Sequence, residues 1–207
     1  MKNFALLVCT FLLSSALFAQ SEKNYTLLIN GEEIEIGLDQ EASITIDGKA
    51  YPVLLNQKEI LTFDNEYVSF NYPREVSVSV TTIAEGIDQV AVINANGGGF
   101  IVQIYPSINP TALEGLMLNE VIKESLNYGY TKKEAAFSKK LQSGQVLSGT
   151  TATLDYRGDQ QVYTVASYGA KDQGIIVLSM ITAQDFAESD QQLIDLFLNS
   201  LEYKEIK

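Results

Sequence analysis

The side chains that carry most enzymatic chemistry are nearly missing from this sequence. It has no histidine and a single cysteine, Cys9, so neither a Ser-His-Asp triad nor a Cys-His pair can be assembled. Without imidazole or clustered thiolates, zinc and copper are left with carboxylates, carbonyls and hydroxyls, which suit the usual sites of neither metal. A serine–lysine pair needs a serine in an activating context. Ser138-Lys139-Lys140 offers only adjacency in a polar stretch. Two carboxylates about 5–9.5 Å apart can hydrolyse a glycoside. The acids here, among them Asp47, Asp64, Asp155, Asp159, Asp172, Glu114 and Glu202, fall instead at turns and exposed helix positions. Turn chemistry and capping account for such placements. Calcium takes oxygen ligands and is the metal least at odds with this composition. No Asp-x-Asp-x-Asp-Gly loop is present, however, and Asp64-Asn65-Glu66 reads as a hairpin turn. The expectation is a chain with no catalytic residue, no metal and no cofactor. The alternatives are an acid-pair hydrolase of glycan-type substrates and a small-ligand or calcium carrier.

Two segments depart from plain core patterning and are the candidates for partner contact. One is the loop Asn94-Ala95-Asn96-Gly97-Gly98-Gly99. It is not a phosphate loop, because no Lys-Ser/Thr follows and the chain resumes as the strand Phe100-Ile101-Val102. Its glycines, lacking Cβ, allow close backbone approach. The other is Tyr128-Gly129-Tyr130, in a chain with eleven tyrosines and no tryptophan. A tyrosine on a loop offers a large rigid surface with one polar tip. The candidate contact residues are therefore Asn96, Gly97, Gly98, Gly99, Tyr128 and Tyr130. Tyr156, Tyr163 and Tyr168 are assigned to sheet faces. Arg157-Gly158-Asp159 matches an adhesion tripeptide but reads first as a hairpin turn. Lys132, Lys133, Lys139 and Lys140 read as a solvated, salt-bridged face.

The elements that must position these residues follow from periodicity and turn signals. Leu27-Leu28-Ile29-Asn30-Gly31 reappears seventeen residues later as Ile44-Thr45-Ile46-Asp47-Gly48, with Leu61-Thr62-Phe63-Asp64-Asn65 as a weaker third copy. Asn-Gly and Asp-Gly between apolar runs favour the tight turn with positive φ at both central residues, so these units read as β-hairpins. Residues 20–59 are expected to form a small all-β extension, and residues 60–207 the main domain. There, strands are expected near 67–71, 76–83, 88–94, 99–105, 134–141, 145–156, 160–168 and 174–182. A helix is expected from the box Thr111–Glu114 to about Asn127, stopped by Gly129. A second, opened by Ser189 and Gln192, carries Leu193, Leu196, Phe197 and Leu201 on one stripe. Consecutive antiparallel strands with two separated helices indicate an α+β domain, its helices packed on the sheet.

Residues 1–19 carry the layout of a secretory signal peptide: Lys2, an apolar run from Phe4 to Phe18, then Ala19 before polar Gln20-Ser21. The run is too short for a membrane span. The chain is expected to be exported, to a periplasm or the cell exterior, with cleavage near Ala19. Removal of Cys9 would leave a cysteine-free protein, which fits a bacterial envelope better than a disulfide-rich secretion route. The formal net charge is −12, from 14 Lys and Arg against 26 Asp and Glu. Such acidity argues against nucleic acid and against anionic lipid as partners. It keeps an exported protein soluble. Asn24-Tyr25-Thr26 would matter as a glycosylation sequon only in a eukaryotic secretory route.

The order of segments also resembles a family. An opening Tyr67-Val68-Ser69-Phe70-Asn71-Tyr72-Pro73, a β-meander, one helix and a second meander lead to Ile175-Ile176-Val177-Leu178-Ser179-Met180-Ile181-Thr182. A terminal helix with Leu196-Phe197-Leu198-Asn199-Ser200-Leu201 closes the chain. Over residues 60–204 this resembles the Mog1/PsbP-like α/β/α sandwich family. The resemblance implies a scaffold for binding proteins more than a catalytic centre, and fold alone does not fix function. Together these features point to an exported, non-catalytic binding or assembly module whose partner is another envelope or secreted protein.

Overall fold

The computed structural model describes residues 23–205. The segment read as a signal peptide, with Cys9, lies outside the described residues. The chain divides into two compact units between Gln57 and Lys58.

The first unit is two antiparallel hairpins. β1 (Tyr25–Ile29) pairs with β2 (Glu32–Ile36), and β3 (Glu41–Ile46) with β4 (Lys49–Leu54). Asn30 and Gly31 have φ of 51° and 88°, and Asp47 and Gly48 have 51° and 74°. Both central residues are left-handed in each turn, as the Asn-Gly and Asp-Gly pairs demand. A single parallel bridge joins Leu38 to Leu55, and the Asp39 N–H donates to the Leu55 carbonyl at 2.8 Å. Among the described residues of this unit, only Ile36 and Ile44 are buried hydrophobics.

The third copy of the repeat behaves differently. It forms β5 (Ile60–Asp64), which pairs with β6 (Val68–Pro73) inside the second unit. With no glycine available, the connection uses the Asn65 carboxamide oxygen, which accepts from the Tyr67 and Val68 N–H groups at 2.9 and 2.8 Å. This is the Asx-turn route to chain reversal.

The second unit is built on a seven-stranded antiparallel sheet. In chain order its strands are β7 (Ser79–Ala84), β8 (Ile87–Ile93), β9 (Gly99–Tyr105), β10 (Thr131–Lys140), β11 (Val146–Tyr156), β12 (Asp159–Ala170) and β13 (Gln173–Ile181). Their spatial order is β10-β11-β12-β13-β9-β8-β7. A short β14 (Glu202–Tyr203) joins β6 and β5 in a three-stranded sheet. Helix α1 (Glu114–Tyr128) lies between β9 and β10 in the chain, and α2 (Ala187–Ser200) follows β13. The unit is thus α+β and mostly antiparallel.

Alternation along the strands sorts the core into two faces. Val90, Phe100, Val102, Ile175 and Val177 pack with Phe70 of β6 and with Leu193, Ile194 and Phe197 of α2. Phe100 and Phe197 stack at 3.7 Å, and Phe70 meets both edge-on at 5.3 Å. Their neighbours in sequence, Ile176 and Leu178, face the other way and pack with Val165, Leu154, Leu118 and Ile122. Each fully buried side chain of this size contributes about 1.5–3 kcal/mol.

The helix starts correct the capping boxes expected from sequence. Asn109 caps the first helical turn: its Oδ1 accepts from the Thr111 N–H at 3.1 Å and from Thr111 Oγ1 at 2.8 Å. Pro110 then leads a 3-10 turn, Pro110–Leu113, into α1. Glu114 does not reach back to Thr111, and its carboxylate accepts from Ser167 Oγ at 3.1 Å. Likewise Ser189 lies inside α2, where its hydroxyl donates to the Phe186 carbonyl at 2.9 Å. A 3-10 turn, Gln184–Phe186, starts that helix earlier than the box implied. Gly129 does end α1, with φ 115° and its N–H donating to the Ser125 and Leu126 carbonyls.

Candidate functional site

The two segments singled out in the sequence lie in different surroundings. Asn94–Gly98 closes the β8–β9 hairpin, with the Asn94 N–H donating to the Gly98 carbonyl at 2.8 Å. This loop is fastened to the first turn of α2 by Asp190, which is wholly buried. Asn94 Nδ2 donates to Asp190 Oδ1 at 2.9 Å, and Asn96 Nδ2 reaches both carboxylate oxygens at 3.3 and 3.1 Å. Thr182 Oγ1 adds a bond to the Asn96 carbonyl at 2.9 Å.

The glycines serve that fastening. A Cβ on Gly98 would stand 1.9 Å from Asp190 Oδ2, and one on Gly99 would stand 2.2 Å from the Val92 carbonyl oxygen. Gly99 also needs φ of 139°, and Gly97 needs 86°. Gly98 and Gly99 are buried, and Asn96 and Gly97 are half-buried. The close approach that Gly98 permits is made by the chain's own α2, and that at Gly99 by the backbone of β8. Sequence spacing could not name Asp190, which lies more than ninety residues away from both asparagines.

Tyr128 and Tyr130 are brought together at the opposite kind of site. Tyr128 is 71% exposed. The registers of β10–β11 and β11–β12 pair Thr131 with Asp155 and Tyr156 with Asp159. That alignment sets Tyr130 and Tyr156 side by side at the end of the sheet, their ring centroids 5.4 Å apart. Tyr128 meets Tyr156 edge-on at 5.2 Å and Tyr130 at 6.2 Å. The Arg157 guanidinium lies 5.0 Å from the Tyr156 ring centre, a cation–π contact on an exposed surface.

A polar relay fixes Tyr130 from beneath. The Tyr130 hydroxyl donates to Asp159 Oδ2, and Gln161 Nε2 donates to the Tyr130 hydroxyl at 3.4 Å. Ser125 of α1 donates to Gln161 Oε1 at 2.7 Å, and the Tyr163 hydroxyl donates to the same oxygen at 3.3 Å. The Asp159 carboxylate, then desolvation, push the Tyr130 phenol up to about 12. Burial raises Tyr163 as well. Both phenols therefore stay neutral donors across the physiological range.

Tyr156, Arg157, Asp159 and Gln161 were not among the candidate residues. Arg157 and Gly158 do form a hairpin turn with two positive φ values, 57° and 90°, as the sequence implied. Only strand register shows that this turn stands beside the end of α1. Of the four lysines of β10, Lys132 forms an ion pair with Glu134 at 2.6 Å and Lys139 a neutral contact with Asn199 at 2.6 Å. Among the described residues no group of three or more acid, histidine or cysteine side chains is placed to hold a metal ion. No described helix is long and apolar enough to cross a membrane.

Comparison with known proteins finds no matching family model and no matching curated protein. Among solved structures, the solution structure of cyanobacterial PsbP (CyanoP) from Synechocystis sp. PCC 6803 is similar at 16% identity and a TM-score of 0.41. The match covers 70% of this chain and 92% of that one.

Proposed function

We propose that this chain is an exported, non-catalytic binding or assembly module of the bacterial cell envelope, on a Mog1/PsbP-like scaffold, and that Tyr128, Tyr130 and Tyr156 form its contact surface. The observation that carries this reading is the tyrosine cluster itself. Three rings and an arginine are gathered at the end of a rigid sheet, with the most exposed ring, Tyr128, at 71%. Rigid aromatic area beside a guanidinium is the composition that dominates protein contact energies. The order of segments between Tyr67 and Leu201, and the signal-like residues 1–19, support scaffold and location. The acids that share a cavity lining, Glu32 with Asp47 and Asp159 with Asp185, are exposed side chains, which gives little support to acid-pair hydrolysis.

The test is quantitative capture from envelope extracts with the intact mature chain and with Tyr128→Ala. A stoichiometric partner held by the parent and released by the variant supports the reading. Equal capture by both proteins, or turnover on a glycan panel, overturns it.

A further inference from the structure

α2 crosses only part of the sheet, and beside it a cavity of about 310 Å³ opens over β10–β13. That volume lies at the lower end of the range for small-ligand sites. We propose that this groove binds a small zwitterion with an apolar side chain, a ligand of the amino-acid type.

The floor and the helix wall supply the apolar half. Phe137, Val162 and Ile181 rise from the sheet, and Ile194 and Leu198 face them from α2. Between these runs a row of hydroxyls, because Thr151 pairs with Thr164 and Thr164 with Ser179 in register on the same face. Thr151 and Thr164 satisfy each other at 2.9 Å. Ser179 is only 7% exposed, and among the described residues its hydroxyl makes no hydrogen bond. Its side chain lines the cavity. A hydroxyl on the cavity wall can donate to or accept from a bound polar group.

The rim decides the charge type. Lys139 and Asp195 both line the cavity, and neither is ion-paired among the described residues. Each is held instead by a neutral amide. Lys139 Nζ donates to Asn199 Oδ1 at 2.6 Å, and Asp195 Oδ1 accepts from Gln191 Nε2 at 2.8 Å. The ammonium keeps further donors free, and the carboxylate keeps its second oxygen. A simple fatty acid would match Lys139 but set its head group near Asp195. A neutral sugar would match neither charge. One molecule with a carboxylate and an ammonium matches both, and its side chain finds the apolar floor.

The test is calorimetric titration of the intact mature chain with L-leucine and L-phenylalanine, backed by amide NMR shifts. Saturable binding below about 1 mM is expected, with shifts confined to β10–β13 and α2. N-acetyl-L-leucine, without the ammonium, and L-leucinamide, without the carboxylate, should each bind about tenfold or more weaker. Lys139→Met should weaken L-leucine by a similar factor and leave L-leucinamide unchanged, while Asp195→Asn should spare N-acetyl-L-leucine. Both substitutions lie at the rim, so melting temperatures should hold. No saturable binding by either amino acid overturns the proposal. So does equal binding of N-acetyl-L-leucine or of glucose, or indifference to both rim variants. Tyr128→Ala should leave this binding intact, so failure of the groove and failure of the tyrosine surface are separable.

Discussion

The glycine loop at 94–99 and the tyrosine corner at 128–130 show how the same kind of sequence signal can turn inward or outward. Both interrupt core patterning, and both place glycine where a partner's approach would need it. At the loop the approaching group is Asp190 of the same chain, and the space that Gly98 leaves is already filled. At the corner the glycine merely ends α1; Tyr128 stands exposed, and half-buried Tyr130 beside it is tied by its hydroxyl to Asp159 and Gln161. A glycine reports that something comes close. It does not report whether that something is internal.

The largest effect that would break this contrast lies at the loop. Gly98 has no positive φ, so Gly98→Ala introduces no backbone strain, only a Cβ 1.9 Å from a buried carboxylate oxygen. Overpacking of this kind should cost about 1–3 kcal/mol, read by denaturant unfolding. The double variant Gly98→Ala with Asp190→Ala should recover part of that loss, because the clash and its partner go together. If the alanine is tolerated without loss, the loop is not fastened as described. Asp190→Ala alone removes the acceptor of the Asn94 and Asn96 amides, both half-buried, and should cost about 1–2 kcal/mol.

At the corner the ranking reverses. Tyr128→Ala should change stability by less than about 0.5 kcal/mol, as expected for an exposed side chain. It should weaken partner binding by roughly 1–2 kcal/mol. Binding loss that merely tracks unfolding would remove the distinction between the two regions.

The same contrast explains which parts were legible in advance. The hairpins at Asn30-Gly31, Asp47-Gly48 and Arg157-Gly158 were readable because a two-residue turn is decided locally. So was the stop at Gly129. The first capping box failed because Asn109, two residues upstream of Thr111, competes for the same N–H, and the second because the 3-10 turn Gln184–Phe186 starts α2 before Ser189. Leu61-Thr62-Phe63-Asp64-Asn65 reads as a weaker third copy by its seventeen-residue offset alone, since its turn is closed by Asn65's side chain and not by a glycine. What could not be read was long-range. Tyr156 joins Tyr130 through strand register, and Asp190 meets Asn94 across most of the domain.

The smallest effect sharpens the account of the corner. The hydrogen bond to Asp159 holds the Tyr130 phenol at about 12, above its ordinary value of 10. A folded-state value raised above the unfolded one means that the stability it represents is fully present below about pH 10 and is lost as pH rises toward 12. Tyr203, held at about 12 chiefly by burial, titrates in the same window, so the corner must be isolated by substitution. Absorbance titration of phenolate in Asp159→Asn should show one tyrosine moving down toward 10, and the same component should be absent in Tyr130→Phe. Tyr203 should be unaffected in both, because its causes are burial, then Glu205, Tyr168 and Tyr67, none of them at the corner. An unchanged titration in Asp159→Asn would mean that Asp159 does not anchor Tyr130, and the corner would then be a loose cluster of rings with no preorganised surface.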